Sequence, residues 1–233
     1  MKSNAELRAE ARQTLKGRWK KSVLMTVIPV LITIIVIAAI SIPLILFFGQ
    51  FLNEPASFSN NYSTGADNSS SGSSGVISGL ITTFFTVAIS WTFLDLLRGK
   101  KEIIRPFKDV FRTFRAPYAL AVLVIYLLIT IFQFLWTLLL IIPGIIKGYS
   151  YSQSYFIYYD TYIETGETPR YLDSITASRH LMNGFKAKLF FLDLSFIGWH
   201  ILSLLTLGIG YLWLMPYIAA TKAAFYRELP KEG

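Results

Sequence analysis

Ionisable side chains inside long apolar stretches are costly, so they mark places where ion pairing or chemistry is built. In this sequence they are Asp95, Lys147, Asp193 and His200. Asp95 precedes Arg98 by three residues and Asp193 follows Lys188 by five. At helical rise both carboxylates then lie roughly 5–8 Å inside a membrane boundary, where pairing with Arg98, Lys100 or Lys188 satisfies them. The competing reading makes them a proton or substrate site, and an interfacial enzyme acting on lipid would have to take its base from Asp95 or Asp193. Lys147 is read as reaching the outer headgroups. His200 is the deepest, about 12 Å from the turn at Gly208 by helical rise. Near it in kind is a hydroxyl-bearing face made of Tyr151, Ser154, Tyr155, Tyr158, Tyr159 and Tyr162. Such a face avoids lipid: it is either sealed by interhelical hydrogen bonds or, with His200, lines a polar cavity.

Other chemistries find no residues to carry them. The chain has no cysteine, which removes disulfides, thiolate metal sites and thiol nucleophiles. No HExxH, GxxxxGK[ST], GxGxxG or GxSxG pattern occurs, so neither a zinc site, a nucleotide cradle nor a serine nucleophile is signalled. No catalytic residue, metal or cofactor is expected.

The elements that must position these residues are membrane helices. Of 233 residues, 53% are hydrophobic and only 15% charged, and the apolar residues fall into blocks near the roughly 20 residues that cross a hydrocarbon core of about 30 Å. The blocks run over about 23–48, 76–97, 118–142, 145–162, 189–207 and 211–225, with Pro143–Gly144 and Gly208–Ile209–Gly210 as turns. The expected fold is all-α, a single integral membrane bundle over 1–233 with six transmembrane helices. Pro29, Pro43 and Pro216 are candidate breaks within spans. Six crossings place 21 of the 22 Lys and Arg residues on one side, Lys147 being the exception. Cytoplasmic loops retain positive charge, so both termini are expected in the cytoplasm. The outer connection 51–75 holds no Lys or Arg and is rich in Ser, Asn and Gly. It reads as a flexible loop, in which Asn61-Tyr62-Ser63 and Asn68-Ser69-Ser70 match the glycosylation pattern as chance allows.

Two further helices are expected on the inner side. In Ser3–Lys20 a capping box, Ser3 with Glu6, precedes an apolar line of Leu7, Ala11, Leu15 and Trp19. Beside it run Arg8, Arg12, Lys16 and Lys20, a stripe suited to anionic headgroups; a plain topology signal is the alternative, and nucleic acid is not an expected partner. The second helix covers 168–184, opened by Thr168-Pro169 and closed by Asn183-Gly184. It packs on the inner ends of the spans or docks a partner.

Several stretches resemble one group of bacterial polytopic membrane proteins. They are LRAEARQTLKGRWK, FLDLLRGKK, LWTLLLIIPGIIKGYSYS and ASRHLMNGFKAKLFFLDLSFIGWHILSLLTLGIGYLWLMPYIAATKAAFY. The chain thus resembles the family catalogued as domain of unknown function 975 over nearly its whole length, the Ser-rich outer loop excepted. More distantly it looks like the membrane domain of some glycerophosphodiester phosphodiesterases. The resemblance implies a bacterial cytoplasmic membrane and six helices; it supplies no catalytic residue, cofactor or substrate. Three functional readings stand: binding or translocation of a small amphiphile, lipid or peptide; a non-catalytic accessory or self-protection role beside a membrane-protein partner; and the interfacial enzyme. A polar cavity reaching both Tyr155 and His200 would favour the first. The third-to-fourth and fifth-to-sixth hairpins look alike, which would make them a parallel repeat.

Overall fold

Apolar blocks with no partner but lipid or one another can satisfy their backbone only as helices, and helices are what form. The computed structural model describes residues 1–52 and 71–230, and among them there is no strand. In chain order the helices are α1 (Asn4–Leu15), α2 (Trp19–Leu52), α3 (Ser71–Leu97), α4 (Pro106–Val110), α5 (Tyr118–Leu139), α6 (Ile141–Tyr151), α7 (Ser154–Thr165), α8 (Tyr171–Leu181), α9 (Lys186–Leu194), α10 (Ile197–Leu205) and α11 (Tyr211–Glu228). A single tight turn, Arg112–Phe114, stands between α4 and α5. Three stretches among the described residues, Gly79–Leu97, Tyr118–Leu139 and Lys186–Leu205, are long and apolar enough to cross a membrane, which marks this as a membrane protein. Of the loop expected over 51–75, residues 51–52 and 71–75 are helical instead, at the end of α2 and the start of α3, and 53–70, with both glycosylation patterns, lie outside the described residues.

Where the elements differ from expectation, local chemistry explains it. α2 and α11 run unbroken through Pro29, Pro43 and Pro216. The turn expected at Pro143–Gly144 falls earlier, at Leu140, whose backbone is extended. Proline lacks only an N–H that the first turn of a helix cannot use, so Pro143 sits inside the opening turn of α6 instead of ending α5. The span expected over 145–162 is two helices broken at Ser152–Gln153, because Ser178 on α8 reaches in to accept the Gln153 N–H (3.2 Å) while donating to the Ser150 carbonyl (2.7 Å). The span expected over 189–207 is likewise divided at Ser195–Phe196, where the Ser195 hydroxyl donates to the Leu192 carbonyl (2.6 Å).

α1 has the capping box: Ser3 Oγ accepts the Glu6 N–H and the Glu6 carboxylate accepts the Ser3 N–H. Its apolar line faces protein, not lipid, for Leu7, Ala11 and Leu15 are fully buried and α1 lies along α11. Ion pairs of Lys2 with Glu10 and Glu228, each 3.0 Å, and of Arg227 with Glu10 close the contact. Hydrogen bonds to both carboxylates hold the Lys2 ammonium above its ordinary pKa, and Lys2 in turn holds Glu228 below the usual carboxylate value. Arg12, Lys16 and Lys20 remain exposed, and Arg8 is half-buried.

α8 does not start from the expected Thr168 cap; Arg170 holds that position with no side-chain cap bond. Gly184, at φ +81°, ends the segment as expected. α8 packs on α5, α6 and α7 through buried Ser174, Ile175 and Ser178, whereas Leu172, expected on its apolar side, is 52% exposed.

Candidate functional site

Two interlocked clusters tie the C-terminal part of α3 to α7. Asp95 and Arg98 stand three residues apart on α3, and Tyr159 and Asp160 are neighbours on α7. Asp95 is paired not with Arg98 but with Arg112 from the turn after α4, at 2.9 Å. Tyr159 donates to Asp95 (2.8 Å) and accepts from Arg112 (2.6 Å), so that each of the three touches the other two. Arg98 instead binds Asp160 with both guanidinium nitrogens, at 2.5 and 2.7 Å, and Tyr226 on α11 donates to the same carboxylate at 2.7 Å. Asp95, Tyr159, Asp160 and Tyr226 are all buried. Charge-assisted bonds of this kind are about twice as strong as neutral ones, and the paired forks fix the angle between the helices.

Trp91 closes this layer. It is fully buried, stacks on Tyr159 at 4.6 Å, meets Tyr118 edge-on at 5.2 Å and donates to the Tyr155 carbonyl at 3.0 Å. Trp91 also lines a cavity of about 420 Å³. α3 contributes Thr82, Thr83, Thr86 and Ser90, the α6–α7 break contributes Gly148, Tyr149, Ser152, Gln153 and Tyr155, and Asp193 on α9 and Lys222 on α11 complete it. Asp193 pairs with Lys222 at 3.0 Å, not with Lys188. Gln153 is buried; its amide nitrogen donates to Ser152 Oγ at 2.8 Å, and its Oε1 is buried with no hydrogen-bond partner.

Of the residues expected to line a cavity, the structure brings only Tyr155 to this one. Tyr151 and Tyr158 are buried in a smaller core with Ala121, Ile125 and Ile175, Ser154 donates to the Tyr151 carbonyl at 2.8 Å, Tyr159 belongs to the ion-pair layer, and Tyr162 meets Tyr118 edge-on at 5.2 Å. His200 packs on Tyr211 at 5.6 Å and is not part of the lining. Lys147, expected to reach the outer headgroups, packs on an aromatic ring. Its ammonium lies 4.3 Å over the Trp136 ring, and it lines a groove with Arg179, His180 and Lys186. Sequence reasoning missed Asp160, Arg112, Tyr226 and the α3 hydroxyls. The last left a signal, since Thr82 or Thr83, Thr86 and Ser90 recur every three to four residues and so share one helix face. Among the described residues no group of three or more His, Asp or Glu is placed to hold a metal.

The family model described as Protein of unknown function (DUF975) matches the chain in two overlapping segments, 1–147 and 137–232. The chain belongs to the DUF975 family. The match takes in both ion-pair clusters and every residue of the cavity lining, so the site of this DUF975 protein lies wholly within family sequence. No curated protein and no solved structure matches the chain.

Proposed function

We propose that this DUF975 protein is a non-catalytic binder of a small amphiphile in the bacterial cytoplasmic membrane, holding the polar end of a lipid or lipid-like molecule in the Thr86–Gln153 cavity. The cavity carries the reading: its size is within the usual range for ligand sites, and the hydroxyls of α3 and of the α6–α7 break line it together with one ammonium, one carboxylate and apolar Val87, Ile145, Phe156 and Leu189. A neighbouring ammonium and carboxylate, Lys222 and Asp193, complement a zwitterionic headgroup. Binding is favoured over translocation because the buried Trp91, which lines the cavity, is locked in place by its stack on Tyr159 and its bond to the Tyr155 carbonyl. The six apolar segments, in three pairs, each open toward the cytoplasm on this reading, with both termini there, and the exposed Arg12, Lys16 and Lys20 face anionic headgroups.

A cavity-filling substitution tests the proposal. Thr86→Phe, purified in native-like lipid beside the parent protein, is expected to retain at least about tenfold less co-purifying lipid by mass spectrometry, equivalent to about 1.4 kcal/mol. Equal retention by a folded variant would remove the cavity as the site.

A further inference from the structure

On the side of α6 turned away from the cavity, cations gather without counter-ions. Ile145, Gly148 and Tyr149 of α6 line the cavity, whereas Lys147, Ser150 and Tyr151, about half a turn round the helix, line two adjoining grooves. One, of about 210 Å³, is formed by Lys147, Ser150, Arg179, His180, Asn183 and Lys186. The other, of about 240 Å³, shares Lys147 and Arg179 and is otherwise mainly apolar, with Phe132 and Trp136 from α5 and Leu172 and Ile175 from α8.

The backbone that carries these cations is fixed. Ser178, next to Arg179, donates to the Ser150 carbonyl at 2.7 Å and accepts the Gln153 N–H at 3.2 Å, which clamps α8 onto α6 three residues past Lys147. Gly184, at φ +81°, then turns the chain, and Lys186 comes back to the groove. α9 opens at Lys186 with no side-chain cap bond and no acidic residue in its first turn, so the positive end of its dipole adds to the same charge.

Nothing given by the fold neutralises this charge. No carboxylate lines either groove, and among the described residues none of Lys147, Arg179 and Lys186 has an ion-pair partner. Arg179 and His180 are exposed and water can serve them, but Lys147 and Lys186 are half-buried. The Lys147 ammonium rests on the Trp136 face at 4.3 Å, which attracts a cation without cancelling its charge. Three like charges brought together in this way repel one another unless an anion lies among them.

We propose that the groove between α6, α8 and the start of α9 is a second binding site, for a phosphate-bearing anion. A guanidinium fork matches two phosphate oxygens, and an ammonium serves as a point charge for a third; Arg179 takes the first part, Lys147 and Lys186 the second. The apolar groove that continues from Lys147 and Arg179 past Phe132, Trp136 and Leu172 gives such an anion a place for an attached acyl chain, which makes an anionic lipid the source of the phosphate. Basic pockets between membrane helices hold anionic lipid headgroups on the same principle.

The test compares affinities for phosphatidylglycerol, phosphatidylcholine and inorganic phosphate, measured by native mass spectrometry on the full chain in neutral detergent. The proteins are the parent, Lys147→Gln with Arg179→Gln, Arg179→Gln by itself, and Lys100→Gln with Lys108→Gln, which removes two exposed cations from elsewhere. The groove double variant is expected to bind phosphatidylglycerol at least about tenfold more weakly than the parent, the loss of a hydrogen bond to a charged group. Arg179→Gln should fall between them, Lys100→Gln with Lys108→Gln should match the parent, and phosphatidylcholine should bind all four alike. An equal loss in both double variants, or no loss in the groove variant, would overturn the proposal; should that variant not fold, Arg179→Gln, at an exposed position, decides. Inorganic phosphate bound by the parent and lost with the same cations, with phosphatidylglycerol indifferent to them, would keep the anion site and overturn lipid as its source.

Discussion

Replacing Asp160 by alanine is expected to lower the stability of the purified protein by about 3–5 kcal/mol, the cost of leaving a buried charge without its partner. The substitution takes from Arg98 both of its carboxylate bonds and from Tyr226 its acceptor, and it unties α3, α7 and α11 together. Thermal denaturation in detergent should show a midpoint lowered by on the order of 10 °C. Replacing both ends by apolar residues, Asp160→Leu with Arg98→Met, is expected to recover much of the loss, because an apolar pair of similar volume leaves no uncompensated charge. A double variant no better than the single one would show that the cluster contributes through something other than its charges.

Trp91→Ala is expected to cost a comparable amount, about 3–5 kcal/mol for a fully buried tryptophan. Its ring touches both the ion-pair layer and the cavity, so its loss removes the stack on Tyr159 and the bond to the Tyr155 carbonyl and enlarges the cavity. Trp91→Phe keeps a ring but not the N–H, and should cost only about 1–3 kcal/mol, the desolvation cost of an acceptor left unpaired. Chemical denaturation of the three proteins checks the order; a Trp91→Ala variant as stable as the parent would mean that Trp91 does not hold the bundle together.

The helices were legible because apolar blocks in lipid have one backbone solution; the α1 capping box and the Gly184 stop were legible because they are local. What escaped the sequence depends on contacts between distant residues. The break at Ser152 is made by Ser178, on another helix. Asp95 and Arg98 look like natural partners by spacing, but each is paired instead with a residue from another segment, Arg112 and Asp160. Asp193 likewise turned from nearby Lys188 to Lys222. Tyr151 and Tyr158 stand on different helices, α6 and α7, and are buried with Ile175 of α8, which periodicity within one segment could not reveal.

The central claim, that the space beside Gln153 holds an amphiphile, is tested most directly by a photoreactive residue placed at Tyr149, in the cavity wall, and another at Leu204, on the lipid-facing surface. Illumination in native membranes followed by mass spectrometry of the intact protein is expected to give an adduct at Tyr149 dominated by one amphiphile class, against a mixture mirroring bulk lipid at Leu204. The same mixture at both positions, or no adduct at Tyr149, would contradict it.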